Sequence, residues 1–232
     1  MAFDLKQFTK ARVGMGERVS TGERLRFDLD HARARDAVHM DLDASSLGFD
    51  HLLVESEVRD RRSYLLRPDL GRRLGQSVPR QECDAVIIVA DGLSALAVHR
   101  HAAAMVERLK ELLADWKLGP IVVAKQARVA IGDAIGEQMG AKMSLVLIGE
   151  RPGLSSPDSL GAYLTYEPRQ GKTDADRNCV SNIRPEGLSY DAAAGLLVFL
   201  MNQARLRQVS GVTLKGDATP YALADSGADS AD

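Results

Sequence analysis

The sequence predicts an α/β fold: a parallel sheet flanked by helices, with a helical N-terminal extension. The first observation is an unbroken apolar run that ends at Asp91-Gly92 and leads into a helical pattern opening at Ser94. The second is that two further apolar runs each follow a helical segment. The predicted strands are residues 85–90, 121–124 and 144–148. Because strands that alternate with helices form right-handed crossovers, this order favours a parallel sheet.

The first 80 residues are predicted to form an N-terminal arm and a charged helical region. We expect residues 1–25 to be irregular and residues 26–82 to be helical, with Asp28 or Asp30 as the first N-cap. Six arginines lie between residues 59 and 73. They indicate either a solvated charged face or a surface that docks on another subunit. Because the region has few apolar residues, it must pack on something else.

Residues 81–212 are predicted to form the sheet domain. Its helices are expected at residues 94–116, 129–139 and 191–209. Gly140 is the expected C-cap of the second helix. Residues 161–166 are predicted to be a strand at the sheet edge, and residues 167–188 a loop. The small, polar and acidic tail, residues 213–232, is expected to be disordered.

Composition excludes several classes of protein. The formal net charge is −2, whereas nucleic-acid-binding proteins are usually basic overall. Two cysteines are too few for a disulfide framework, and no signal-peptide core is recognised near the start, so we expect a cytosolic protein. The longest apolar stretch, residues 192–201, is far shorter than the roughly 20 residues that span a bilayer.

The residues that follow the predicted strands are the candidates for a binding site. Asp91, residues 125–129 and Glu150-Arg151 each come after a strand, and the carboxyl ends of parallel strands share one edge of a sheet. This arrangement predicts a cleft for a large polar small molecule. The sequence contains no HExxH, CxxC or GxxxxGK[ST] motif, so it predicts neither a metal site nor a nucleoside-triphosphate loop. Cys179 is interpreted as a small contact residue rather than a nucleophile.

Five long strings occur in order over about residues 8–210. They are RFDLDHARARDAVH, DRRSYLLRPDLGRRL, VIIVADGLSALAVHRHA, LIGERPGLSSPDSLGAY and ADRNCVSNIRPEGLSY. This text resembles the light chain, or small subunit, of ethanolamine ammonia-lyase. The likeness is specific because several compositionally unusual strings match together. It implies a lyase that uses adenosylcobalamin to convert ethanolamine to acetaldehyde and ammonia by a radical route.

The resemblance also implies a partner and three site residues. In that family the heavy chain, a TIM barrel, binds the substrate, and the light chain covers the cofactor with a Rossmann-like domain. The family's cobalamin contacts fall here on Val129 in ARVAIGD, Glu150 in GERPGL and Cys179 in DRNCVSN. No catalytic residue and no metal ligand is implied for this chain. The expected assembly is a hetero-oligomer with the heavy chain, without nucleic acid or membrane.

Location and two rival functions stay open at this point. The N-terminal arm is shorter than in enteric relatives, whose longer arm is associated with microcompartment targeting. The expected location is therefore the cytoplasm, either free or inside a bacterial microcompartment. One rival function is a dinucleotide-binding oxidoreductase subunit, against which the absence of GxGxxG after residues 86–90 counts. The other is a docking module without a ligand, which the arginine-rich region favours.

Overall fold

The computed structural model describes residues 20–215, which form a sheet with helices on both faces. The strands are β1 Leu52–Glu55, β2 Cys83–Ala90, β3 Val122–Lys125, β4 Ala141–Gly149, β5 Leu160–Tyr166 and β6 Arg177–Ile183. The α-helices are α1 Thr21–His39, α2 Arg61–Leu66, α3 Ala95–Leu112, α4 Ile131–Met139, α5 Tyr190–Arg207 and α6 Val212–Lys215. The irregular arm and the disordered tail that the sequence predicts fall mostly in residues 1–19 and 216–232, outside the described residues.

The sheet is mixed, with the order β1-β3-β2-β4-β5-β6. The first four strands in this order, β1, β3, β2 and β4, are parallel. This confirms the predicted parallel arrangement of β2, β3 and β4. The prediction of a wholly parallel sheet is wrong, because β5 and β6 run antiparallel. No helix lies between β4 and β5, and a strand that returns directly to its neighbour must reverse direction.

Two predictions for the end of the sheet are also wrong. Strand β5 is not at an edge, because β4 and β6 pair with its two sides. Strand β6 lies inside the stretch that the sequence predicts as a loop, residues 167–188. Its sequence, RNCVSNI, has few apolar residues. Two of its buried residues, Arg177 and Asn178, are polar and are buried with hydrogen-bond partners. The hydrophobic pattern therefore gives little sign of this strand.

The N-terminal region is only partly helical. Helix α1 begins after Ser20, not at Asp28 or Asp30, because Ser20 and Glu23 form a capping box. The predicted helical region also contains strand β1, which pairs with β3 and buries Val54 completely. This region packs on the rest of the chain, as its shortage of apolar residues predicts: Leu42 and Leu47 join the core beneath α3.

Both faces of the sheet are covered near its centre. Helices α3 and α5 pack on one face with Ile87 and Val89, and α4 packs on the other with Val86 and Ile88. Residues on both faces of β2 are thus buried, which explains its continuous apolar run. Gly140 ends α4 with a φ of 74°, as the sequence predicts.

The crossover helices create the crevice that positions the site. The chain leaves β2 towards α3 on one face, and leaves the neighbouring β3 towards α4 on the other. Where adjacent parallel strands send the chain to opposite faces, a crevice opens at their carboxyl ends. The loops after β2, β3 and β4 all reach this edge of the sheet.

Candidate functional site

Two glycines bring the loops after β2 and β4 into direct backbone contact. Gly92 has a φ of 57°, and the amide of Leu93 donates to the Gly149 carbonyl at 2.9 Å. A Cβ atom on Gly149 would lie 2.0 Å from the Ser94 carbonyl oxygen, so no larger residue fits there. This close approach places Glu150 beside the loop that follows β2.

A cleft of about 410 Å³ lies over these loops. It is lined by Tyr64, Gly92, Leu93, Arg128, Val129, Ile148, Gly149, Glu150, Arg151 and Tyr163. The structure thus brings together residues from all three strand ends that the sequence singles out. The charged side chains that the described part of the chain gives to this lining are two arginines and one carboxylate, so positive charge is in excess among them.

Glu150 is held by donors from Ser159, directly before β5, and from Asn182 on β6. Its Oε2 atom accepts hydrogen bonds from the Ser159 hydroxyl and, at 3.2 Å, from the Asn182 amide. Asn182 has a φ of 59°, a conformation that asparagine tolerates, and it lies within a register shift between β5 and β6. Within residues 20–215, Glu150 forms no ion pair, so the alternative of a salt bridge with Arg151 or Arg128 is wrong there.

The second carboxylate oxygen of Glu150 is left for another partner. Oε1 accepts no hydrogen bond from the residues that the structure describes. It lies over Gly161, where an added Cβ atom would approach it to 2.9 Å. A fixed carboxylate with one unengaged oxygen can accept a hydrogen bond from an amide or hydroxyl group of a ligand.

Val129 lines the cleft, whereas Cys179 lies one strand away from it. Val129 is half-buried between β3 and α4 and supplies an apolar contact to the cleft. Cys179 does not line the cleft itself, but it is directly opposite Tyr163 on the neighbouring strand, and Tyr163 does. Burial and the adjacent Cys179 raise the pKa of Tyr163, which therefore stays a neutral phenol near pH 7.

A buried ion pair fixes β6 against α4. Arg177 donates to both carboxylate oxygens of Asp133 at 2.6 Å, and also to the Thr165 hydroxyl at 2.9 Å. Both charged side chains are almost completely buried. Because Arg177 is two residues before Cys179 on the same strand, this bidentate pair positions the thiol beside Tyr163.

Asp91 has a structural role rather than a place on the cleft. Its carboxylate is almost fully buried and accepts hydrogen bonds from the amides of Gln126 and Ala127, each at 2.9 Å. Arg61 lies 3.5 Å away. Burial raises the pKa of Asp91, and the Ala127 amide and Arg61 oppose that rise. The expectation that Asp91 would contact a ligand is thus not supported, because its oxygens are used to hold the loop after β3.

Tyr64, which is not among the site residues predicted from the sequence, is fully buried and forms part of the cleft lining. Its hydroxyl donates to the Ala127 carbonyl at 3.0 Å. The guanidinium carbons of Arg128 and Arg61 lie 4.1 and 4.6 Å from its ring centre. The available signal was a single tyrosine within an arginine-rich stretch, since aromatic rings are frequent partners of arginine.

The described residues show neither a metal cluster nor a membrane span. No group of three or more His, Cys, Asp or Glu side chains in residues 20–215 is arranged to hold a metal ion. No helix in that range is long and apolar enough to cross a membrane. All five histidines of the chain fall within it, and none of them lines the cleft.

Comparison with known proteins identifies the family. A sequence profile described as "Ethanolamine ammonia-lyase light chain (EutC)" matches residues 2–215. The ethanolamine ammonia-lyase small subunit of Pseudomonas paraeruginosa is 50% identical over an alignment of 241 residues. The alignment covers 94% of this chain and 88% of the relative. The small subunit of Azotobacter vinelandii is 48% identical over 250 residues, covering 96% and 91%. The chain therefore belongs to the ethanolamine ammonia-lyase light-chain family, the small subunits of a lyase.

Proposed function

We propose that this chain binds adenosylcobalamin at the strand-end cleft. We also propose that it docks on the heavy chain, or large subunit, which holds the substrate. The observation that carries the proposal is the meeting of Val129 and Glu150 in one cleft, with Cys179 one strand away. These three positions are the cobalamin contacts that the family resemblance implies. Family membership itself is shown, and it supports the reaction: conversion of ethanolamine to acetaldehyde and ammonia by a radical route.

The chemistry of the cleft fits a corrinoid. The corrin ring is apolar on its faces and carries amide side chains, which need both acceptors and apolar contacts. Glu150 supplies an unengaged carboxylate oxygen, Val129 an apolar surface, and Arg128 a buried Nε–H with no partner among the described residues. A volume of about 410 Å³ is at the lower end for a drug-sized ligand, so it suits one part of this large cofactor. The large subunit would cover the rest.

The division of labour follows from what the cleft contains. The cofactor, when bound, supplies the radical that starts the reaction, and the protein supplies binding and orientation. Glu150 would orient amide groups of the corrinoid, while Val129 and Tyr163 would exclude water from its edge. Among residues 20–215, the lining holds no nucleophile paired with a base, and we expect this chain to contribute no catalytic residue.

We also propose that the cofactor keeps its own dimethylbenzimidazole on cobalt. Domains that replace this base carry Asp-x-His-x-x-Gly, and the nearest text, Asp30-His31-Ala32, lacks that spacing. None of the histidines lines the cleft, which supports the same conclusion. Electron paramagnetic resonance of the complex with ¹⁵N-histidine-labelled protein tests this. Hyperfine splitting that changes with the label would mean that a histidine is the ligand.

The exposed face of α1 is the proposed docking surface for the large subunit. Leu25 and Leu29 are exposed one turn apart on one side of this helix, and Phe27 is exposed on the other side. Adjacent exposed leucines on a helix with a single buried residue, Ala37, favour an interface. The double variant Leu25→Gln/Leu29→Gln should weaken complex formation by at least about tenfold. Leu206→Gln, at an exposed leucine on α5, is the control and should not.

One experiment separates the proposed function from its rivals. The chain is co-expressed with the large subunit, and adenosylcobalamin and NAD are titrated separately against the complex and against the chain alone. We expect saturable binding of adenosylcobalamin by the complex, deaminase activity only in the complex, and no binding of NAD. Binding of NAD would support an oxidoreductase, and a complex that assembles but binds neither ligand would support a docking module. Fractionation of cells grown on ethanolamine would place the complex free in the cytoplasm or in a microcompartment.

A further inference from the structure

Arg128 has an unusual environment within the cleft. Its side chain is half-buried, and no acidic group lies within ion-pair distance of it in residues 20–215. The only hydrogen bond that its guanidinium donates there goes from Nη2 to the Tyr64 carbonyl, at 3.3 Å. Its Nε–H is buried without any partner in the same range. Because buried side-chain donors are ordinarily hydrogen-bonded, this Nε–H is left for a ligand to satisfy.

The side chain is also held in place. The Arg128 amide donates to the Gly71 carbonyl at 2.7 Å, and Gly71 packs against the aliphatic part of the side chain. The guanidinium carbon lies 4.1 Å from the centre of the buried Tyr64 ring. A guanidinium that stacks on an aromatic ring keeps its edge free, and that edge donates in the fork geometry that matches a phosphate. The arginine is therefore preorganised for an oxyanion.

Neighbouring positive charges also favour the binding of an anion near Arg128. Burial lowers the pKa of Arg128, and Arg61 and Arg72 act in the same direction. Arg61 sits behind the same ring with its own Nη2 buried and unpartnered in the described part of the chain. Asp91, 3.5 Å from Arg61, balances the charge of Arg61 but leaves that of Arg128. The corner of the cleft around Tyr64 therefore carries a positive charge that the described residues do not balance.

We propose that Arg128 binds a phosphate ester, namely the phosphodiester of the cofactor's nucleotide loop. This inference rests on the proposed function and deepens it by assigning a part of the cofactor to a residue of this chain. The corrin amides are neutral, and the phosphodiester is the one anionic group that adenosylcobalamin carries. Glu150, which lines the same cleft, would then face the amides, because a carboxylate repels a phosphate.

The test uses two corrinoids that differ only by the phosphate group. Cobinamide and cobinamide phosphate are titrated against the complex of both subunits, and dissociation constants are measured by absorbance after ultrafiltration. We expect the wild-type complex to prefer the phosphate ester by about tenfold to a hundredfold, the usual worth of a charge-assisted hydrogen bond. Arg128→Gln should remove this preference while changing cobinamide binding less than about threefold. Arg128→Lys should keep part of it, since lysine binds phosphate as a point charge.

Arg151→Gln is the matched control. It removes the same charge from the same cleft, but Arg151 is exposed and makes no contact with Tyr64 among the described residues. It should leave most of the preference for the phosphate ester intact. Equal losses in both arginine variants would indicate a diffuse field and would overturn the assignment to Arg128.

Three other results would also overturn it. The first is a loss in Arg128→Gln that is the same for both corrinoids, which would make Arg128 structural. The second is a wild-type complex that binds the two corrinoids equally and binds cobinamide more tightly when inorganic phosphate is added. This result would indicate a site for a free anion. The third is a wild-type complex that binds no corrinoid, adenosylcobalamin included; this result alone would also refute the proposed function. Thermal unfolding of each variant shows whether it is folded.

Discussion

Replacing Glu150 by glutamine tests the most specific feature of the proposed site. In the native cleft, Oε2 accepts from Ser159 and Asn182, and both of these groups are donors in this arrangement. The glutamine carbonyl must therefore take the position of Oε2, and its amide nitrogen must take the position of Oε1. A donor then faces the cofactor where the native protein presents a charged acceptor.

The expected loss follows from that exchange. A hydrogen bond to a charged group contributes about 1.5–3 kcal/mol, so the affinity for adenosylcobalamin should fall by about one to two decades. Because the bonds from Ser159 and Asn182 remain, stability should fall by less than about 1.5 kcal/mol. Association with the large subunit should barely change. The assay is a titration of the complex with adenosylcobalamin, together with thermal unfolding.

The control for this experiment is Glu82→Gln. Glu82 is exposed, pairs with Arg80 at 2.8 Å, and precedes β2, whereas Glu150 follows β4. Since β2 and β4 are parallel, the two glutamates lie at opposite ends of the sheet. Glu82→Gln should bind the cofactor as the native chain does. Affinity within twofold of the native value in Glu150→Gln would refute the reasoning and make Glu150 part of the scaffold.

Three further predictions concern the surroundings of the site. Cys179→Ala removes a small uncharged contact, so cofactor affinity in the same titration should fall by less than about fivefold. Asp91→Asn leaves Arg61 buried without a counter-charge, which should lower the free energy of unfolding by about 3–5 kcal/mol in urea titrations. His101 is buried beside Asp158, and burial lowers the pKa of its imidazole. As the pH falls, the unfolded chain therefore takes up a proton at this position before the folded chain does. The free energy of unfolding should fall as the pH drops below about 6.5. His101→Gln should flatten that slope, and an unchanged slope would assign it to other groups.

Much of the site could be predicted because its position follows from local sequence. The apolar runs that became β2, β3 and β4 are continuous, since parallel strands are covered on both faces. Glycines and charged residues directly after such runs lie at the carboxyl edge of the sheet. Val129 and Glu150 follow such runs and line the cleft, while Cys179 was implied by family resemblance alone.

The antiparallel half of the sheet could not be predicted in this way. Strand β6 is short of apolar residues, and its buried Arg177 is tolerated only because Asp133, 44 residues earlier, neutralises it. Such a pairing has no periodicity and leaves no local signature. The same is true of the direction of β5, which depends on whether a connection crosses the sheet or turns back beside it.

The sequence by itself determined the α/β class, the parallel strands, the candidate residues at their ends and, through long matching strings, the family. The tertiary structure decided which of those residues face the cleft. Asp91 and Glu150 are both carboxylates next to a glycine at a strand end. Both oxygens of Asp91 accept hydrogen bonds from backbone amides, whereas one oxygen of Glu150 accepts none from the described residues. The structure also placed Tyr64 beneath Arg128, across 64 residues of sequence. The physical reason is that strand identity depends on local burial, whereas the availability of a polar group depends on every donor that the whole fold brings to it.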